Sequence, residues 1–99
     1  MKIYFNDNKQ WIEFHIWTHS LKEFMKVNDA YAYYVNEVSR YKTKGCFGHI
    51  HLGEVTHELV AHELVHFQAD YLNSRGGISE ERMAMLVGDI VGKFWREYG

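Results

Sequence analysis

The spacing of apolar positions divides the chain into a β-like first half and a helical second half. Within Trp11–Trp17 the apolar side chains of Ile12, Phe14 and Ile16 occupy every second position, which is the two-residue period of a strand. The positions between and beside them form the other face: Trp11, Glu13, His15 and Trp17. From about Thr56 the apolar residues recur with the 3.6-residue period of a helix. Three other short, β-prone segments are predicted as strands: Lys2–Phe5, Ala30–Val38 and Phe47–Leu52.

Two of the three predicted helices begin with a serine that can accept a hydrogen bond from the first turn. Ser20 can cap a short helix that ends at Asn28-Asp29. Ser79 can cap the last helix, where Glu80 and Glu81 lie next to its positive end. The resulting order is ββαββαα. It predicts an α+β domain, with a small and mainly antiparallel sheet on which the long helix and the C-terminal helix pack.

Composition and charge argue against two classes of partner, nucleic acids and membranes. The formal net charge of −2 provides no positive field for a phosphate backbone, so a nucleic-acid partner is not expected. The longest apolar run, Met83–Val87, is too short to span a bilayer, and the first 20 residues lack the pattern of a signal peptide. The single cysteine, Cys46, favours a reducing compartment. We therefore expect one cytoplasmic domain over residues 1–99, with no membrane partner.

The long helix separates an apolar stripe from a polar arc. The stripe predicts the face that packs on the sheet and consists of four residues: Val60, Leu64, Phe67 and Tyr71. The opposite arc is polar and includes both histidines of the helix centre: Glu58, His62, Glu63, His66 and Asp70. The histidine-rich arc is the first candidate for chemistry.

The arc contains the sequence His62-Glu63-Leu64-Val65-His66, an H-E-x-x-H motif. Two histidines four residues apart project from one helix face, so both imidazoles can reach one ion. Zinc suits them because it takes nitrogen and oxygen ligands in a tetrahedral array. Glu63 can reach a water held by the metal and take its proton. The alternative is a pair of histidines on a solvated helix face.

A catalytic zinc needs a third protein ligand and one open position. Glu81 is the first choice for this third ligand. It follows His66 by 15 residues, across a glycine-containing turn that would fold the last helix back against the motif helix. Three small residues share its stripe and would let the two helices approach closely: Ala84, Gly88 and Gly92. Other carboxylates remain alternatives for this ligand: Glu58, Asp70 and Glu80. Asp70 could instead accept the ring N–H of His66.

Three segments carry a resemblance to a known family: 47–52, 60–66 and 80–88. Together they resemble the gluzincin type of zincin metallopeptidase, in particular the very small zincin-like proteins encoded by phages and prophages. The resemblance implies that His62, His66 and Glu81 bind one zinc per chain and that Glu63 is the catalytic base. It also implies hydrolysis of a peptide or protein substrate in the cytoplasm of a bacterial host.

By the same resemblance, Phe47–Leu52 is the edge strand that pairs with an extended peptide. Strand alternation places Phe47, His49 and His51 on one face, and the two histidines are candidates for lining a substrate groove. The tyrosines near the third strand are assigned to the core, unless one of them reaches the site: Tyr31, Tyr33 and Tyr34. Two other functions stay open, a zinc-stabilised binding module without turnover and a metal-free interaction protein. The sequence does not indicate an oligomeric state.

Overall fold

The computed structural model describes residues 1–37 and 42–99, and within these ranges four strands and three helices follow one another in the predicted order ββαββαα. The predicted strand Ala30–Val38 ends at a residue that lies outside these ranges. The elements are β1 Lys2–Phe5, β2 Gln10–Ile16, α1 Leu21–Asn28, β3 Ala32–Asn36, β4 Gly45–Leu52, α2 His57–Arg75 and α3 Glu80–Tyr98.

Local capping explains where the helices begin, and the predicted caps at Ser20 and Ser79 are confirmed. The hydroxyls of Ser20, Thr56 and Ser79 each accept a hydrogen bond from a backbone N–H of the first turn of α1, α2 and α3, respectively. Asp29 ends α1 in the left-handed region at φ 53°. Gly76 follows α2 at φ 57°, a conformation that glycine adopts without a steric penalty. Each helix boundary therefore follows from the residues beside it.

The four strands form one mixed sheet in the order β1-β2-β4-β3. The outer pairs β1–β2 and β3–β4 are antiparallel, whereas β2 and β4 are parallel. The prediction that Phe47–Leu52 is an edge strand is wrong, because β4 lies between β2 and β3. Burial explains this placement, since Ile50 and Leu52 have no exposed surface while Val35 and Asn36 of β3 are exposed. The apolar strand occupies the interior of the sheet, and the more polar β3 is an edge.

Helices α2 and α3 cover one face of the sheet, with α2 against β3 and β4 and α3 against β1. The predicted α2 stripe is confirmed, because all four of its residues are at most 3% exposed. Phe94 of α3 packs on Phe14 of β2 with the ring centroids 4.5 Å apart. A single apolar core therefore lies between the helix layer and the sheet.

A bulge at the start of β4 changes which side chains face the core. Trp11 of β2 pairs with Cys46 and the next residue, Ile12, pairs with Gly48, so Phe47 has no partner of its own. The extra residue turns Phe47 into the core, where it is 2% exposed. The prediction that Phe47 shares a face with His49 and His51 is therefore wrong.

The small-residue stripe of α3 does not face α2. Gly88 is exposed, and a Cβ atom added there would meet no atom within 4 Å. The nearest atom to a Cβ on Gly92 belongs to Arg96 of the same helix. The expected close approach of the two helices along Ala84, Gly88 and Gly92 is wrong, since these positions lie on the outer side of α3.

Candidate metal centres

His62 and His66 lie one turn apart on α2 and converge as the motif predicts. Their ring centroids are 5.0 Å apart, and both side chains are exposed. One ligand atom each of His62, Glu63 and His66 lies within 4.8 Å of the other two. Two imidazole nitrogens and a carboxylate oxygen form a donor set that zinc binds. The structure thus contains a group of side chains that could hold a metal ion.

Glu63 differs from the two histidines in its burial. It is 3% exposed, although the sequence places it on the polar arc of α2. Burial raises the pKa of the Glu63 carboxyl, and the charges of His62 and His66 act in the opposite direction. A cation bound by the histidines would therefore favour the carboxylate form that a general base requires.

An open groove separates the histidines of α2 from edge strand β3. Tyr33, Tyr34 and Asn36 line its β3 side, and Asp70 lines its α2 side together with the motif residues. The outer backbone edge of β3 borders this groove, because β4 pairs with its other side. The edge strand beside the motif is thus β3, and not the predicted Phe47–Leu52.

Tyr34 connects β3 to α2 within the groove. Its hydroxyl donates a 2.6 Å hydrogen bond to Oδ2 of Asp70. The ring lies close over Gly48 of β4, where an added Cβ would come within 2.8 Å of it. A glycine in β4 therefore allows a tyrosine from β3 to contact a carboxylate of the metal-binding helix.

The structure does not bring Glu81 to the histidines. Glu81 is exposed and does not belong to the group of converging ligand atoms around His62 and His66. Helix α2 continues for nine residues beyond His66 to Arg75 before the chain turns, a distance of about 13 Å along the axis.

Helix α3 also packs on the opposite side of α2 from the histidines. Arg82 and Leu86 of α3 line a pocket with Tyr71 of α2, and Tyr71 lies about 180° around the helix from His62. The first turn of α3 therefore lies away from the motif. Of the predicted site residues, the structure brings together His62, Glu63 and His66.

His49 and His51 lie on the other face of the sheet. Their neighbours Ile50 and Leu52 point into the core beneath α2, so the histidines alternate to the face without these helices. They cannot line the groove beside His62, because the sheet separates them from it. Here His51 stacks between His15 of β2 and Tyr33 of β3, with centroids 4.4 and 4.6 Å away.

A second group of possible ligands occupies this face. One ligand atom each of Glu13, Cys46 and His49 lies within 4.8 Å of the other two. The pKa of the Cys46 thiol is raised, first by burial and then by the carboxylate of Glu37. The thiol is therefore not activated as a free nucleophile, because nucleophilic attack requires the thiolate. Sequence reasoning missed Glu13 and His15; the signal was their alternation along β2 toward one face.

Comparison of the chain with protein families, with curated proteins and with solved structures finds no match. The resemblance to zincins therefore depends on the motif residues alone and stays a prediction. None of the helices in the ranges 1–37 and 42–99 has the length and apolar content needed to cross a lipid bilayer.

Proposed function

We propose that the protein is a zinc-dependent hydrolase of peptide bonds, in which His62 and His66 bind the ion and Glu63 is the general base. One observation carries this proposal, namely that the three ligand atoms converge within 4.8 Å while the Glu63 carboxyl is 3% exposed. A purely structural pair of histidines would not require a buried carboxyl group beside it.

Each residue has a role that follows from its position. A bound zinc would supply a Lewis acid that lowers the pKa of a coordinated water toward about 7. Glu63 lies beside the two histidines and would accept the proton of a water held there. His62 and His66 are exposed, so the groove is open to solvent on their side.

The substrate class follows from the position of β3. Its outer edge borders the groove, and an extended peptide can add to such an edge through main-chain hydrogen bonds. A peptide bound in this way places its carbonyl groups between β3 and the histidines. The hydroxyl of Tyr34 faces the same groove from β3 and can contact the bound chain.

A second candidate function is a zinc-binding module without turnover. The position of Glu81 favours it, because the group of converging ligand atoms in the described residues contains two histidines and only the Glu63 carboxyl. Asp70 is a further carboxyl group that lines the groove. The two candidates differ in catalysis and agree on zinc binding at the motif.

Purified protein, loaded with zinc and then dialysed, tests both candidates. We expect the joint His62→Ala and His66→Ala substitution to remove one zinc ion per chain. We also expect the wild type to cleave a mixed peptide library, with the products detected by mass spectrometry. His57→Ala is a matched control, since this exposed α2 histidine contacts Trp95 instead. Zinc binding at the motif without cleavage would support the binding module. An equal number of zinc ions per chain in the wild type and in the double variant would contradict both candidates.

A further inference from the structure

We propose a second metal site on the face of the sheet opposite α2 and α3, in which Glu13, Cys46 and His49 bind a divalent transition metal such as zinc. The ligand atoms of these residues lie within 4.8 Å of one another. The site lies on the opposite side of the sheet from His62 and His66. It does not depend on the function proposed for the motif.

The sheet register brings the three residues together. Glu13 of β2 is the direct partner of His49 in the parallel β2–β4 pair. Cys46 and His49 are three positions apart, and in a regular strand they would point to opposite faces. The bulge at Phe47 adds one residue, so both side chains lie on the same face.

The side chains lie near the geometry of a small tetrahedral ion without having reached it. Nε2 of His49 is 3.7 Å from Sγ of Cys46, whereas the 3.9 Å contact of Oε2 of Glu13 is to the other ring nitrogen, Nδ1. Ligand atoms at about 2.0–2.3 Å from zinc are separated from one another by about 3.3–3.8 Å in a tetrahedron. Because an ion binds one ring nitrogen of His49, either Glu13 or Cys46 rotates toward that nitrogen, starting from ligand atoms that lie within 4.8 Å of one another.

Two further residues contact His49 and would orient it. Oε2 of Glu37 is 2.6 Å from Nε2, and Nε2 of His15 is 2.9 Å from Nδ1. Since a carboxylate only accepts, Nε2 of a neutral His49 donates to Glu37 and Nδ1 accepts from His15. A metal at one ring nitrogen replaces one of these contacts, and the other continues to fix the ring.

Hydrogen bonds also explain the position of His49 without a metal, and the Cys46 thiol donates one to the carbonyl oxygen of Gly48 at 3.4 Å. These bonds do not require the Glu13 carboxyl to converge on the same imidazole as the thiol. Thiolate, imidazole and carboxylate together are a donor set that binds zinc and cobalt. The coincidence of all three on one face therefore favours a metal site over a hydrogen-bonded pair alone.

Cobalt(II) provides a specific probe, because a thiolate bound to cobalt gives a charge-transfer band in the near ultraviolet. Cys46 is the single cysteine of the chain, so this band reports on the second site alone. We expect the band in the wild type and in the His62→Ala/His66→Ala variant. We expect it to disappear in Cys46→Ser and in His49→Gln, while cobalt bound per chain falls from two to one.

The control for a general effect on this face is His51→Gln, since His51 stacks on His15 but is not in the ligand group. It should retain the band, and circular dichroism should show each variant folded. A second measurement follows alkylation of Cys46, which bound zinc should slow at least tenfold in the His62→Ala/His66→Ala variant. Absence of both the band and the protection in this folded variant would overturn the proposal.

Discussion

At the scale of single residues, burial distinguishes the proposed general base of the motif, Glu63, from the two histidines that would bind the metal. His62 and His66 are exposed, whereas Glu63 is buried between α2 and the β3 edge of the sheet. The histidines can therefore hold an ion at the surface of the groove while the carboxyl group contacts water from the protein side.

Glu63→Gln tests this separation. We expect zinc binding and the fold to remain, since glutamine has the same size and the two histidines are unchanged. Peptide cleavage should fall by about 10²–10⁴-fold, the usual contribution of a general base. Zinc content by elemental analysis and cleavage rate by mass spectrometry check the prediction. Loss of zinc equal to that of His62→Ala would make Glu63 a ligand.

The positions of Asp70 and Glu81 lead to a second prediction at this scale. Glu81→Gln should leave zinc affinity unchanged, because the residue is exposed on the far side of α2 from the motif. Asp70→Asn should weaken zinc binding several-fold, since this carboxyl group lines the same groove as the histidines.

Competition with a chromophoric chelator measures both affinities. Glu80→Gln is the matched control for Glu81→Gln, because both residues lie in the first turn of α3. A large loss of affinity in Glu81→Gln alone would show that Glu81 is a zinc ligand, as the resemblance to gluzincins implies, and that α3 moves when zinc binds.

At the scale of elements, two glycines differ in their surroundings. One is required by the close packing of a neighbouring ring, and the other could be replaced by a larger residue. Gly48 of β4 lies under Tyr34, where a Cβ would come 2.8 Å from the ring. Gly88 of α3 faces open space. The same substitution should therefore have opposite effects at the two positions.

Gly48→Ala should lower the free energy of unfolding by about 1–3 kcal/mol, the usual cost of overpacking. It should also displace Tyr34 from Asp70 and so weaken any activity that depends on the groove. Gly88→Ala should raise the free energy of unfolding by up to about 1 kcal/mol, because alanine favours an exposed helix position over glycine. Urea denaturation of both variants measures these changes. Destabilisation by Gly88→Ala would contradict the outward orientation of this position.

At the scale of the whole molecule, the sheet separates two groups of possible metal ligands. His62, Glu63 and His66 lie on α2 beside the β3 edge, whereas Glu13, Cys46 and His49 lie on the face without α2 and α3. A substitution in one group therefore leaves the side chains of the other group in place. The prediction of one zinc per chain follows from the first group, and the second group raises the expected number to two.

The sequence determined the features that depend on near neighbours along the chain. Three features each arise within a single helix: the caps at Ser20 and Ser79, the α2 stripe, and the convergence of His62 with His66. The order ββαββαα and the α+β class follow from the same local patterns.

Only the tertiary structure decided the features that depend on distant segments. Insertion of β4 between β2 and β3 moved the sheet edge to β3 and placed His49 and His51 away from the motif. The packing of α3 on the side of α2 away from the histidines kept Glu81 apart from them, and a bulge in one strand brought Cys46 beside His49. The physical reason is that strand order, helix packing and bulges are set by the burial of the whole core, to which residues far apart in sequence contribute together.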